Sequence, residues 1–171
     1  CLISHSHQDH CQSHSHLAAF GMDIYLAKDT LAEIKGKGHR YHALEPLKAI
    51  DIGSFKIVPF ELKHDVTNFG YLLVSMKTKE KLLYITDSYY CPYRFSGVTH
   101  MMVEANYDVE YLRQNHHDGV INGKLKNRII QSHMSIDTLL QMLKANDLSK
   151  LQQIYLIHLS ENNSKADEFR E

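Results

Sequence analysis

Apolar and β-branched residues gather in short runs along this chain, and the runs predict strands over 1–4, 23–27, 47–51, 55–63, 69–77, 81–86, 99–104 and 153–158. Between them, apolar positions at helical spacing predict helices over 11–20, 28–36, 108–116, 122–131, 135–146 and from 163 onward. Segment 135–146 is the plainest case, because Ile136, Leu139, Leu140 and Leu143 fall on one face suited to packing on a sheet. Ser135 and Asp29 are the expected N-terminal caps. Strands alternating with helices indicate a layered α/β fold. No repeat, low-complexity tract or proline-rich linker interrupts the pattern, so one domain over 1–171 is expected.

The apolar runs share a way of stopping. Leu2-Ile3 leads to His5, Phe60 and Leu62 share a face with His64, and Leu82 to Ile85 leads to Asp87. Met101 to Val103 leads to Glu104, and Tyr155 to Ile157 leads to His158. Strand ends lying side by side converge on one pocket, which is where layered α/β folds place their sites. A single polar residue at a strand end means little, whereas five in succession ending in His, Asp or Glu point to a shared site.

Ser4-His5-Ser6-His7-Gln8-Asp9-His10 has the pattern H-x-H-x-D-H. In an extended turn His5 and His7 point the same way by the two-residue period, so both imidazoles can hold one divalent ion. Asp9 and His10 follow at the start of a helix and can face a second ion. His64 completes a three-histidine first site, Asp87 offers a carboxylate able to bridge both ions, and His158 joins the second. Two such ions clamp both oxygens of a displacement at phosphorus. Zinc suits the nitrogen-rich first site, with manganese an alternative where carboxylate shares it.

These motifs, HSHQDH, His64, the Asp87 that closes LLYITD and the His158 of YLIHLS, resemble in order the metal motifs of metallo-β-lactamase-fold hydrolases. The resemblance implies a four-layer αββα fold with the metals at the sheet edge. His10 directly after Asp9 resembles the phosphodiesterase and glyoxalase branches. KLLYITDSYY, MMVEANYD, NRIIQSHMS and LIHLSENNS are similar to YycJ-type exonucleases, transfer-RNA 3′-processing enzymes and, most of all, the phage anti-Pycsar proteins. This likeness implies a phosphodiesterase that destroys cyclic nucleotides in a phage counter-defence role. Relatives carry strands before the first metal motif, which here stands at residue 5, so a fragment of a longer chain lacking the N-terminal strands is expected.

The expected chemistry is attack at phosphorus by metal-bound hydroxide, with Asp9 orienting it or taking its proton. His133 binds substrate and protonates the leaving oxygen, while Glu104 orients its ring. The rival readings are a nuclease acting on DNA or RNA ends and a non-catalytic module that binds metal and nucleotide.

Composition trims the alternatives. With 43% apolar residues, 171 residues can bury one substantial core. A formal net charge of -1 supplies no global field for a long polyanion, which favours a small substrate. Cys1, Cys11 and Cys91 form no C-x-x-C pair and leave one unmatched, so a reducing, cytoplasmic location is expected, in a bacterium or a phage-infected host. The longest apolar runs are far short of the ~20 residues of a membrane span, and no leader is expected. A homodimer is the expected assembly. Of the thirteen histidines, His14, His16, His39, His42, His116 and His117 read as surface residues. Lys124, Lys126 and Arg128 read as a solvated helix face rather than a phosphate contact. Tyr89, Tyr90, Tyr93 and Phe95 suit base stacking, core packing or a dimer contact equally.

Overall fold

The computed structural model describes residues 1–170. Its largest element is a six-stranded sheet formed by β3 (Ile50–Ile52), β4 (Phe55–Leu62), β5 (Asn68–Ser75), β6 (Lys81–Ile85), β7 (His100–Glu104) and β8 (Gln153–Ile157). The strands lie in sequence order. The first three connections are antiparallel, and β6, β7 and β8 are parallel. Two antiparallel steps make β4 parallel to β6, so the C-terminal ends of β4, β6, β7 and β8 all reach the same edge of the sheet. A second sheet pairs β1 (Ile24–Ala27) with β2 (Tyr41–Leu44) in parallel, and Leu2 adds a single bridge to Tyr25.

Period-two alternation sorts the side chains into layers. Tyr25 and Ala27 of β1 face Ile57, Phe69 and Tyr71 and form the core between the sheets. Ile24 and Leu26 point the other way, onto Cys11 of α1 (Gln8–Cys11), Leu17 of α2 (His14–Ala19) and Leu31 of α3 (Lys28–Glu33). On the far side of the large sheet, Phe60, Leu83, Ile85, Met101 and Val103 pack against Leu139 and Met142 of α6 (Ile136–Lys144). α4 (Val109–His117) and α5 (Gly123–Ser132) close a smaller cluster around Leu112 and Ile129. This is the αββα layering of the metallo-β-lactamase fold. No described helix is long and apolar enough to cross a membrane.

Several local expectations are corrected. Residues 1–4 form one bridge rather than a strand. The expected helix 11–20 is two short helices, because Ser13 and the histidines around it have low helix propensity and the chain turns to bury Cys11, whose Sγ donates to the Ser6 carbonyl. The strand expected at 47–51 begins at Ile50, and β2 was not expected: its four residues, two half-buried, one exposed and one buried, carry too little alternation to be seen. Asp29 lies within the first turn of α3, which Ala27 caps, and accepts from Thr67 Oγ1 instead. Ser135 does cap α6, accepting from the Thr138 amide. From 163 the chain makes turns and a short 3₁₀ segment, Glu168–Arg170, not a long helix; Asn163 is buried, and its carbonyl accepts from the Asp108 amide.

Candidate metal centre

The HSHQDH turn is carried across the sheet edge by three ties. Ile3 takes a hydrogen bond from the Tyr71 hydroxyl at 2.6 Å, the Ser4 carbonyl accepts from the Phe69 amide at 2.9 Å, and the Ile3 amide donates to Tyr25 at 2.9 Å. The turn then sits over the ends of β4, β6 and β8, which present His64, Asp87 and His158. All seven of the expected metal ligands meet there.

Asp87 is the centre. It is buried, its Oδ2 lies 3.5 Å from His5 Nε2, 3.3 Å from His10 Nε2 and 4.0 Å from His64 Nε2, and its Oδ1 lies 3.3 Å from His158 Nε2. One ligand atom each from His5, His7, His64 and Asp87 forms a group within 4.8 Å, and Asp9, His10 and His158 form another. Asp9 is the most exposed of the seven expected ligands, 3.4 Å from His10 Nε2. Asp87 and His158 adopt left-handed φ values of 50° and 55°. A non-glycine residue held there costs about 1–3 kcal/mol, and the strain is stored where two parallel strands must turn a side chain into the cluster. Buried Asn68 supports the Asp87 turn by donating to the carbonyls of Thr86 and Asp87 at 2.9 and 2.7 Å, and Thr86 Oγ1 donates to Asp87 Oδ1 at 2.8 Å.

Hydrogen bonding on the outer side of the rings decides which nitrogen faces inward. His64 Nδ1 lies 3.1 Å from the Ser132 carbonyl, which only accepts, so Nδ1 carries the proton and the Nε2 lone pair faces the cluster. His158 Nδ1 donates likewise to Glu104 Oε1 at 3.0 Å. His5 Nε2 is buried with no hydrogen-bond partner, and His64 Nε2 stands 3.4 Å from His7 Nδ1. Lone pairs and carboxylate oxygens thus crowd inward with too few protons between them, which is the donor chemistry that fits divalent cations. The residues fit the group.

Ionisation follows this crowding. Burial and the neighbouring His10 push His5 down to about 3. Burial likewise lowers His64, although the nearby Asp65 and Asp87 oppose it. Burial is the largest influence on both His10 and Asp87 and disfavours their charged forms, but their mutual hydrogen bond and the attraction of neighbouring opposite charges together outweigh it, so His10 is raised and Asp87 depressed. The Glu104 hydrogen bond raises His158.

Glu104 and His133 stand beside the ligands. Glu104 is fully buried; Oε1 accepts from His133 Nδ1 at 2.6 Å and from His158, and Oε2 accepts from the amides of Ser88 at 2.9 Å and Met134 at 3.4 Å. Four donors surround this carboxylate, and Asp87, Glu104, His133 and His158 also bring one ligand atom each within 4.8 Å of one another. The His133 and His158 rings stack with centroids 5.1 Å apart. A cavity of about 320 Å³ is lined by His7, Asp9, His64, Asp87, His133 and His158.

Some contributors were missed. Asp65 Oδ1 lies 3.1 Å from His64 Nε2 and 3.4 Å from His7 Nε2, and its only signal was adjacency to His64. Asn106 donates to the His158 carbonyl at 2.8 Å and had no signal beyond following Glu104 by two residues. His14 is tied to the Tyr41 hydroxyl at 2.8 Å, and His42 stacks on Tyr25; both stay outside the cluster.

Residues 1–159 match the family described as the beta-lactamase superfamily domain. Among solved structures, the metallo-β-lactamase fold protein YhfI of Bacillus subtilis is similar with a TM-score of 0.70 at 17% identity, over 99% of this chain and 68% of that one. A diphosphatase from the PhnP family gives 0.68 at 16%, covering 99% and 63%. The short form of human tRNase Z gives 0.61 at 17%, covering 94% and 71%. The chain therefore spans roughly two-thirds of the length of these structures. A comparison with curated proteins gives no match.

Proposed function

The chain belongs to the beta-lactamase superfamily, and on that premise we propose that it is a metal-dependent phosphodiesterase acting on nucleotides, with cyclic nucleotides as its substrate class. The observation that carries the reading is the single carboxylate, Asp87, flanked on both oxygens by histidines, with His133 in the same cavity. The PhnP-family diphosphatase and tRNase Z, named for work on phosphorus-oxygen bonds, support it.

His5, His7 and His64 would hold one divalent ion, Asp9, His10 and His158 a second, and Asp87 both. Such a pair supplies an activated water near neutral pH and neutralises charge growing on phosphoryl oxygens. Zinc suits the nitrogen-rich first group, and manganese competes where carboxylates share the site. The chain's own residues do the rest. Asp9, at the rim, takes the proton of the attacking water. His133 is held by Glu104 through Nδ1, which leaves Nε2 to deliver a proton to the departing oxygen. Buried Glu104 fixes the His158 ring at the same time, so the proton donor and a metal ligand share one anchor.

The test is a panel of cyclic mono- and dinucleotides, single-stranded DNA and precursor transfer RNA, offered to the zinc- or manganese-loaded protein. The reading expects hydrolysis of cyclic nucleotides that falls by about 10²-fold or more in His133→Ala. Cleavage of polymers alone, or of nothing in the panel, overturns it.

A further inference from the structure

Helix α5 carries a groove that the ligand geometry leaves unused. Lys124, Arg128 and Gln131 recur at spacings of four and three residues and so share a helix face. They line a groove of about 600 Å³ whose opposite wall is His64 and Asp65. That groove shares His64, Arg128 and Ser132 with the cavity over the ligand residues, so the two form one cleft. Arg128 stands at the junction and Lys124 one helical turn further out.

Both cations are exposed, and neither has a carboxylate partner or a side-chain hydrogen bond among the described residues. Arg40 and Arg113, by contrast, are paired with Asp23 and Glu110. The acid in the groove wall, Asp65, directs its Oδ1 toward His7 and His64 instead. Two unpaired cations in a concave groove beside a cation-binding centre repel one another until an anion enters.

We propose that this groove is a phosphate subsite, in which Arg128 and Lys124 hold the phosphate next to the one being cleaved. The preferred substrate then carries two phosphates: a dinucleotide, cyclic or linear, is favoured over a mononucleotide. The inference rests on the phosphodiesterase reading above. Arg128 offers a forked set of donors to phosphate oxygens, and Lys124 adds a point charge.

Binding of thymidine 3′,5′-bisphosphate and thymidine 5′-monophosphate to the zinc-loaded protein, measured by calorimetry, tests it without turnover. The bisphosphate is expected to bind about tenfold more tightly, the scale of one charge-assisted contact. Arg128→Ala and Lys124→Ala should each cut that margin to about threefold or less. Lys126→Ala removes the same charge from the same helix but does not line the groove, and it should keep the margin. Equal binding of the two nucleotides, or a margin eroded equally by Lys126→Ala, overturns the subsite. A protein that keeps the margin yet hydrolyses no phosphodiester overturns only the assigned activity, and one that hydrolyses without any margin overturns only the subsite.

Discussion

Replacing Glu104 by glutamine keeps the shape of the side chain and turns one acceptor into a donor. The native carboxylate faces four donors: two imidazole N–H groups on Oε1 and two backbone amides on Oε2. The new amide nitrogen must face one of these pairs. The amides of Ser88 and Met134 cannot change, whereas an imidazole can move its proton, so the nitrogen turns toward His133 and His158. His158 then carries its proton on Nε2, the nitrogen 3.3 Å from Asp87 Oδ1, and loses the lone pair that faces the cluster. Loss of such an orienting partner lowers metal affinity about 10–100-fold, or roughly 1.4–2.7 kcal/mol. The 2.6 Å contact to His133 is charge-assisted and worth about 1.5–3 kcal/mol, a loss that falls on the rate. Folding stability should change less than either, since the variant no longer buries a carboxylate. The assay is chelator competition for zinc, read in two steps, together with hydrolysis of a cyclic nucleotide, whose alkoxide leaving group needs a proton donor. On the proposed assignment, binding at His5, His7 and His64 should keep its affinity while binding at Asp9, His10 and His158 weakens. Wild-type affinity in both steps with an unchanged rate would refute the reasoning.

Gly70→Ala should destabilise the fold by about 1–3 kcal/mol, the scale of overpacking. The added Cβ would run into the buried Phe60 ring and lie 3.1 Å from the Tyr84 carbonyl oxygen, and an unshifted urea midpoint would contradict this. Metal affinity should rise with pH through and beyond 6.5: His10 and His158 are raised, so an incoming ion must displace protons that persist above that value. Calorimetry in buffers of different ionisation heat should find proton release on binding, and a pH-independent affinity would count against the assigned ligands. One thiol of the native protein should react quickly with a disulfide reagent, and three in denaturant. Cys1 is exposed, while burial pushes Cys91 up to about 11 and also raises Cys11; three equally fast native thiols would show the packing to be wrong.

Much of the centre was legible because its ligands are tied to strand ends, and strand ends are visible as the points where apolar runs stop. His64, Asp87 and His158 are of this kind, whereas HSHQDH follows a single bridge and was legible from its own spacing. Strand order was not legible, since β4, β6, β7 and β8 meet at one edge only through their pairing directions. The supports of the site were hidden for a different reason. Asn68 begins β5 yet braces the turn after β6, and Asn106 braces the turn after β8; such long-range hydrogen bonds leave no periodicity in the chain. The left-handed backbone at Asp87 and His158 was equally hidden, because that conformation ordinarily announces itself by glycine. Lys124 and Arg128 read as a solvated face, and they are exposed; only the fold reveals that the face borders the cavity.

Anomalous diffraction from crystals grown with zinc tests the central claim most directly. Two peaks are expected, one among His5, His7 and His64 and one among Asp9, His10 and His158, both beside Asp87. Zinc bound only at surface histidines such as His116 and His117, with the Asp87 cluster left without a peak, would contradict it.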